Sequence, residues 1–252
     1  MDNEEQTNLI TRIKVVGIPL HIVREENFER VVEELVARDA LKQVMLVGLW
    51  DVLRTLWNRR LRDAMERAAL VIPLSRALVY GAKFQQKRLP SRYHAFPFVI
   101  RFLSALEAHG RSIYLLGAPA SGIAVAERNI RSTFPGLRIV GRYSGFYPAT
   151  RESDIVTAIN KAAPDFVLLG SGLPGKEGWV RAHAAELRGG LYLWHAQVFD
   201  VLAERASRRP EKVIERLPGM VTALITHPWR ILRGPVYALY PLLLIYHRLR
   251  NL

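Results

Sequence analysis

The sequence predicts an α/β fold: a Rossmann-like, mostly parallel sheet with helices on both faces, plus a helical C-terminal appendage. Short apolar segments alternate with amphipathic helical segments, and this alternation is typical of parallel sheets. Between residues 112 and 200 the pattern repeats four times, with glycines near the ends of the apolar segments. After residue 205 the strand pattern stops and prolines become frequent. We therefore predict a Rossmann-like domain over residues 1–205 and a basic, apolar, helical appendage over residues 206–252.

The first half of the chain supplies three predicted strands and three predicted helices. The continuous apolar run VMLVGL (44–49) is typical of a strand that is buried on both faces. Gly110 is a common type of residue just after a helix, and it follows a segment with apolar residues at helical spacing. The predicted strands cover residues 13–20, 44–49 and 69–73, and the predicted helices cover about 24–38, 51–66 and 96–109.

Four strand-and-glycine units follow in the second half. They read SIYLLGAP (112–119), FPGLRIVGRYSGFY (134–147), PDFVLLGSGLPGKEGW (164–179) and LYLWHAQVFD (191–200). The carboxyl ends of parallel strands meet at one edge of a sheet, where α/β proteins bind ligands and above all nucleotides. The glycines therefore predict a nucleotide-binding crevice at that edge.

The appendage combines apolar and basic residues. Its prolines, at positions 210, 218, 228, 235 and 241, predict short helices at angles to one another. We expect its last part, 234–252, to attach the protein to a membrane surface, with residues 242–245 facing lipid tails and Arg248 and Arg250 meeting headgroups. The alternative is that this segment packs on its own domain or on a partner subunit of a homo-oligomer.

The charge of the chain predicts an anionic partner. The formal net charge is +13 and the isoelectric point is about 10.4, which favours binding to nucleic acid, an anionic membrane or a phosphorylated substrate. The last acidic residue is Glu215, and the arginines beyond it lie among long apolar runs. This pattern favours a membrane surface over nucleic acid.

Several classes of protein are disfavoured by composition. The chain has no cysteine, which excludes disulfides and thiolate metal sites, and its histidines show no metal-ligand spacing. Arg12 and Lys14 interrupt the first apolar stretch, so no signal peptide is predicted. The longest uncharged run, 234–246, contains Pro241 and is shorter than the roughly 18–20 residues that a membrane span needs. We expect a cytoplasmic protein on the inner face of the membrane, without metal or cofactor.

The motif GSGLPGKEGW (170–179) predicts phosphate binding most directly. A glycine-rich turn lets backbone N–H groups approach a phosphate, and the next helix adds a favourable dipole. Lys176 would add positive charge, and Glu177 would accept hydrogen bonds from sugar hydroxyls. The alternative is an ordinary strand-to-helix turn. The predicted nucleotide-binding residues of all four units are Gly117, Gly141, Gly145, Gly170, Gly172, Pro174, Lys176, Glu177 and Asp200.

Other residues of these units allow two interpretations each. The aromatic residues Tyr143, Phe146 and Tyr147 either stack on a base or belong to the core or its rim. Asp200 either binds a ribose hydroxyl or caps a helix. Arginines of the appendage either grip a diphosphate, since a guanidinium pairs two phosphate oxygens, or are simply solvated. The predicted diphosphate and acceptor residues are Arg208, Arg230 and Arg233.

Taken together, these motifs resemble the WecG/TagA/CpsF family of bacterial glycosyltransferases over about residues 13–233. The likeness is carried by YLLG (114–117), FPGLRIVGRYSGFY (134–147), PDFVLLGSGLP (164–174), Arg208-Arg209-Pro210 and Pro228-Trp229-Arg230-Ile231-Leu232-Arg233, in that order. The resemblance implies transfer of a sugar, N-acetylmannosamine or its uronic acid, from a UDP donor. It also implies a polyprenyl-diphosphate-linked acceptor at the cytoplasmic membrane face, as in cell-surface polysaccharide synthesis.

The chain departs from the family's pattern on the sugar and acceptor side. The family's P-D-G supplies an aspartate thought to act as base on the acceptor hydroxyl, and here the segment is Pro73-Leu74-Ser75. The family's T-x-N falls on Gly48-Leu49-Trp50, and its P-K-Q-E on Pro174-Gly175-Lys176-Glu177, which keeps the glutamate. The E-W of the appendage falls on Gly219-Met220, and a following arginine falls on Ala223.

Asp51 is the retained acid closest to the altered segments, and we predict it as a substitute base, with helix capping as the alternative. Three hypotheses about function stay open. The chain is a divergent sugar transferase, or it is a non-catalytic relative that binds a nucleotide, a lipid carrier or a partner enzyme. The third hypothesis, nucleic-acid binding, predicts affinity that falls steeply with salt.

Overall fold

A six-stranded parallel sheet organises the chain, in the order β4-β3-β8-β7-β5-β6, beside a separate two-stranded hairpin, β1-β2. The computed structural model describes residues 9–36, 40–85, 93–195, 197–203 and 234–250. The strands are β1 Ile10–Val15, β2 Ile18–Val23, β3 Leu41–Val47, β4 Leu70–Pro73, β5 Ser112–Leu116, β6 Arg138–Tyr143, β7 Phe166–Leu169 and β8 Gly190–Trp194. The predicted fold class, a Rossmann-like α/β sheet, is confirmed.

Helices connect the strands on both sides of the sheet. They are α1 Phe28–Val36, α2 Leu49–Arg54, α3 Arg59–Arg67, α4 Arg76–Phe84, α5 Ala95–Ala108, α6 Ala120–Thr133, α7 Glu152–Ala162, α8 Trp179–Ala182, α9 Val198–Leu202 and α10 Gly234–Arg250. Short 3₁₀ helices cover Glu25–Asn27, Ala149–Arg151 and Lys176–Gly178.

Successive side chains of the strands point to opposite faces, and each face is covered. Helices α1, α5, α6 and α9 pack on one face around Phe102, Leu115 and Phe166. The hairpin packs on the other face with α2, α3, α4 and α10, next to a smaller cluster under α7 and α8. Asp51 and Glu177, two of the predicted site residues, lie where these last two clusters meet.

The first predicted strand, 13–20, is wrong: the structure has a β-hairpin there. Val15 pairs with Ile18 across a two-residue turn in which Val16 and Gly17 both have positive φ, 52° and 77°. This turn type normally carries Asn-Gly or Asp-Gly, so Val-Gly gave little signal.

The predicted helix 51–66 is two helices, and α4 was not predicted. The Asn58 side chain accepts a hydrogen bond from the backbone N–H of Leu61 and starts α3. The Ser75 side chain caps α4 in the same way, by accepting from the N–H of Ala77. Both are ordinary N-cap residues, and the sequence interpretation overlooked them.

Helix α10 differs from the prediction of short, angled helices, because it runs for 17 residues through Pro241. It packs on α4: the Tyr240 hydroxyl donates to the Ala77 carbonyl at 2.9 Å. Leu244 is buried and Leu243 packs against the same core cluster, so the expectation that residues 242–245 all face lipid is wrong for these two. Leu242 and Ile245 are exposed. No helix in the described ranges has the length and apolar character that a membrane span requires.

The hairpin is tied to β4 by His21, and we predict that this contact makes stability depend on pH. Its Nδ1 accepts the backbone N–H of Val71 at 2.8 Å, and burial, with Arg12 nearby, lowers the pKa of His21 to about 4. The unfolded chain, with a histidine pKa near 6.5, binds the proton more tightly. The stabilisation is therefore complete above about pH 6.5 and is lost as the pH falls towards 4, by about 2–3 kcal/mol. Urea unfolding of His21→Asn should show a shallower pH dependence than the unchanged chain.

The matched control for that measurement is His94→Asn, which removes an exposed histidine. It should keep the pH dependence of the unchanged chain. If His21→Asn and His94→Asn behave alike between pH 4 and 7, the contact with Val71 is not the cause.

The docking of α10 on α4 depends on Gly81, because a Cβ there would overlap the Tyr240 hydroxyl. Gly→Ala inside an undocked helix stabilises it by up to about 1 kcal/mol. In the docked helix we expect the opposite sign, a loss of about 1–3 kcal/mol from overpacking. Gly178→Ala is the control, because open space surrounds that position. Chemical unfolding that shows Gly81→Ala to be more stable than the unchanged chain would contradict this packing.

Candidate active site

Four of the five predicted glycines meet at the carboxyl edge of the sheet, in the loops after β5, β6 and β7. The fifth, Gly141, lies within strand β6, where it pairs with Tyr114 of β5, so the structure does not bring it to the edge with the others. A Cβ on Gly117 would contact the backbone of Gly170 at 2.5 Å, and a Cβ on Gly145 would overlap the Ser171 carbonyl. Gly117 and Gly172 also have positive φ, 146° and 94°. Glycine is therefore needed at this edge, because the loops pack backbone against backbone.

Several amides of these loops have partners inside the protein. The N–H of Gly117 donates to the Tyr143 carbonyl, that of Gly145 to Ala118, and that of Gly170 to Leu116. These bonds hold the loops to one another, which is a structural role. A phosphate at this edge would have to use other donors.

Aromatic rings pack against three of the predicted glycines. The Phe199 ring lies against Gly170, the Tyr114 ring against Gly141, and the Phe146 ring against Gly172. Phe146 is 63% exposed, so one face of its ring remains open at the edge of the sheet. It is the aromatic residue best placed to meet a planar base there.

The loop after Tyr143 is held by a buried network. The Trp179 indole N–H is 3.0 Å from both the Tyr147 hydroxyl and Glu152 Oε1, and His183 Nε2 is 3.1 Å from the same carboxylate oxygen. Burial and the Glu152 charge raise the pKa of Tyr147 to about 12, so the hydroxyl stays protonated. This network fixes the segment that carries Phe146.

A narrow cleft lies along β3 between α2, α3 and the 3₁₀ helix Lys176–Gly178. Its polar lining is Gln43, Asp51, Glu177 and Trp194. The free space amounts to about 30 Å³, room for about two water molecules. A sugar would therefore enter only if the surrounding loops move apart.

One peptide group connects Asp51 with Leu74, the residue that stands at the family's aspartate. The Val47 carbonyl accepts the N–H of Leu74 at 2.8 Å, and the N–H of Gly48 donates to Asp51 Oδ2 at 2.9 Å. The two ends of a trans peptide point in opposite directions. Leu74 therefore lies on the β4 side of the end of β3, and the Asp51 carboxylate lies on the β8 side, at the cleft.

Arg54 joins the two carboxylates of the cleft. Its Nη2 donates to Glu177 Oε1 at 2.6 Å, and its Nη1 lies 3.5 Å from Asp51 Oδ1. Gln43 Nε2 donates to the Glu177 carbonyl at 3.0 Å and holds the 3₁₀ helix against β3. Charge-assisted pairs of this kind, in a partly buried setting, place both carboxylates firmly.

Sequence interpretation missed Arg54, Gln43 and Trp194. Arg54 stands three residues after Asp51 on one helix face, and that spacing was a usable signal. The pairing of Arg54 with Glu177 could not be predicted, because the two residues are 123 positions apart in the sequence. Trp194 ends β8, lines the cleft and donates its indole N–H to the Gly170 carbonyl at 3.1 Å.

His195 is a further polar residue at the same edge. Its Nδ1 is buried without a hydrogen-bond partner among the described residues, and burial lowers the pKa of the imidazole, which keeps the ring neutral. Asp200 lies in the first turn of α9, whose apolar residues pack on the opposite face of the sheet from the cleft. The structure thus separates Asp200 from the pair formed by Asp51 and Glu177.

Pro174 and Lys176 are exposed on the loop that borders the cleft. Arg208, Arg230 and Arg233 lie outside the described residues. Within the described ranges, no three histidine, aspartate or glutamate side chains are grouped closely enough to hold a metal ion.

Comparisons with known proteins agree with the motif pattern. A sequence model of the Glycosyl transferase WecG/TagA/CpsF family matches residues 13–251. An N-acetylglucosaminyldiphosphoundecaprenol N-acetyl-beta-D-mannosaminyltransferase of Bacillus subtilis (strain 168) is 26% identical over 180 residues, 70% of this chain and 70% of that protein. A protein of the same name from Staphylococcus aureus (strain NCTC 8325 / PS 47) is 18% identical over 148 residues, 59% of this chain and 58% of its own length.

The family match spans nearly the whole chain, and both relatives are named as glycosyltransferases. This chain therefore belongs to the WecG/TagA/CpsF family of glycosyl transferases.

Proposed function

We propose that the chain transfers an N-acetylmannosamine-like sugar from a UDP donor to a polyprenyl-diphosphate-linked acceptor. The names of the relatives support the transferred sugar and the polyprenyl-diphosphate-linked acceptor, and the UDP donor is what the motif resemblance to the family implies. The observation that carries the proposal is the position of the Asp51 carboxylate, which faces the cleft from the peptide group that also binds Leu74. The chain thus keeps a carboxylate after β3, the strand that pairs with β4, and the family has its aspartate directly after β4.

The reaction is a direct displacement at the anomeric carbon. The acceptor hydroxyl attacks that carbon, its proton passes to Asp51, and the bond to the diphosphate of UDP breaks as the new glycosidic bond forms. The proton acceptor contributes about 10²–10⁴-fold in rate. Arg54 holds Asp51 and Glu177 in place, and Glu177 is left to orient the sugar hydroxyls.

The nucleotide lies along the glycine loops in this proposal. The base stacks on the exposed face of Phe146, and the diphosphate meets Lys176, whose side chain is exposed beside Pro174. The glycines let these loops pack closely and so shape the edge. Positive charge near the leaving diphosphate stabilises the transition state.

The second candidate is a relative that binds these ligands without turnover. Two observations favour it: Leu74 has no group that accepts a proton, and the cleft has room for little more than water. Both candidates require ligand binding, so only a measurement of turnover separates them.

We expect Asp51→Asn to lower the rate of acceptor-dependent UDP release by about 10²–10³-fold, because the amide cannot take the proton. The amide oxygen still accepts the N–H of Gly48, so the fold is retained. Asp63→Asn, which changes an exposed aspartate on α3, is the control and should keep full activity. The measurement is UDP released with a polyprenyl-diphosphate-linked N-acetylglucosamine acceptor.

Leu74→Asp completes that experiment. If the unchanged chain releases no UDP and Leu74→Asp does, the chain is the non-catalytic relative. If Asp51→Asn and Asp63→Asn are equally active, Asp51 is not the base.

We place the enzyme at the inner membrane surface through α10. Leu242, Ile245, Tyr246 and Leu249 are exposed on one side of this helix, and Arg248 and Arg250 follow at its end. An exposed apolar surface next to basic residues is typical of peripheral binding to anionic lipid.

Vesicles that contain phosphatidylglycerol should therefore sediment the protein, and more weakly at high salt. Leu242→Glu should reduce the partition coefficient at least about fivefold, since it removes apolar contact with the lipid. Val140→Glu, at an exposed position on the edge strand β6, is the matched control. Equal partition of the two variants would contradict a membrane role for α10.

A further inference from the structure

Helices α4 and α10 run side by side in the same direction and enclose a groove. Tyr240 contacts Ala77, Leu244 lies close to Gly81, and further along the Arg248 guanidinium lies 4.9 Å from the centre of the Phe84 ring. The contacting residues follow in the same order of residue number on both helices, so the two helices are parallel. The groove is about 460 Å³ in volume.

The lining of the groove is apolar. It consists of Ala77, Tyr80, Gly81, Phe84, Tyr240, Pro241, Leu244 and Ile245. The Tyr240 hydroxyl is already bonded to a carbonyl. Tyr80, Phe84 and Ile245 are 66%, 40% and 47% exposed, so large apolar side chains border an open groove. Such a surface favours a hydrocarbon ligand.

One end of the groove lies at the carboxyl edge of the sheet. Helix α4 begins two residues after Leu74, and the Tyr237 ring of α10 packs at 6.0 Å on Trp50, next to Asp51. The groove therefore begins at the same edge of the sheet as the cleft and extends for about 10 Å along α4, from Ala77 to Phe84.

Basic side chains stand at both ends of the groove. Arg76 opens α4 at the sheet edge, and Arg248 and Lys83 stand at the far end. Either end therefore suits an anionic head on a hydrocarbon chain, and the orientation follows from the position of the cleft, which lies at the same sheet edge as Arg76.

We infer that the groove between α4 and α10 holds the first isoprenoid units of the acceptor's polyprenyl chain, with the diphosphate at the Arg76 end. This inference rests on the proposed function and adds a binding site for the lipid. The diphosphate-linked sugar then lies at the sheet edge within reach of Asp51, and the chain leaves at the Phe84 end towards the bilayer. The alternative occupants are phospholipid acyl chains and a second copy of the protein, and the experiment distinguishes each of them from the polyprenyl chain.

The test compares Ile245→Glu with Leu249→Glu. Both changes put the same charge at an exposed apolar position of α10, but only Ile245 lines the groove. Binding of farnesyl diphosphate is measured by calorimetry in buffer without vesicles, with inorganic diphosphate as the ligand that lacks a chain. Ile245→Glu should weaken farnesyl diphosphate at least about tenfold, and Leu249→Glu by less than about twofold. Inorganic diphosphate should bind with equal affinity to the unchanged chain and to both variants.

Three results overturn the inference: equal effects of the two variants, no gain in affinity from the farnesyl chain, or equally tight groove binding by short-chain phosphatidylglycerol. A dimer that Ile245→Glu alone dissociates, seen by sedimentation velocity, also overturns it, because the groove is then an interface between copies. None of these measurements uses sugar transfer. A chain that binds farnesyl diphosphate in this way but releases no UDP refutes the proposed transfer and leaves the groove assignment standing.

Discussion

The close contact between the ends of β5 and β7 is the constraint on which the carboxyl edge of this protein depends. Gly117 and Gly170 meet backbone to backbone, and the Gly170 amide bonds to the Leu116 carbonyl. A side chain at either position would push apart the two loops that border the predicted nucleotide site. The amides of Gly117, Gly145 and Gly170 are used in these loop contacts, so the proposed diphosphate would have to meet other donors, for example the Lys176 side chain.

The arrangement around β3 explains how a member of this family can lack its aspartate and still present an acid. The carbonyl of the Val47–Gly48 peptide is paired with Leu74, and its N–H is paired with Asp51. The proposed base thus lies on the other side of the strand end from Leu74, in the cleft that Glu177 also lines. Arg54 then prevents two neighbouring carboxylates from repelling each other, since it carries the compensating charge between them.

The parallel sheet was predictable because its inner strands contain continuous apolar runs, although the edge strand β6 does not, and the positions of Gly117, Gly145 and Gly170 followed from the strand ends. The hairpin around Val16 was not, since valine rarely adopts positive φ and gave no turn signal. The pairing of Arg54 with Glu177 also escaped, because sequence spacing says nothing about contacts between distant segments. The positions of most of the glycines could be predicted, whereas the hydrogen bonds that the amides of Gly117, Gly145 and Gly170 make to neighbouring loops could not; phosphate binding by this edge stays a prediction.

In the proposed arrangement, helix α10 links lipid to the carboxyl edge of the sheet. Helix α10 is apolar around most of its circumference, so one side satisfies the core through Tyr240 and Leu244 while the other leaves Leu242 and Leu249 exposed. A helix that packed only on its own domain would gain nothing from that second apolar side, which costs solubility. The proposed binding to a bilayer would cover that side. Since α4 starts directly after β4, a lipid held along this helix pair brings its head to the strand ends, where Asp51 lies.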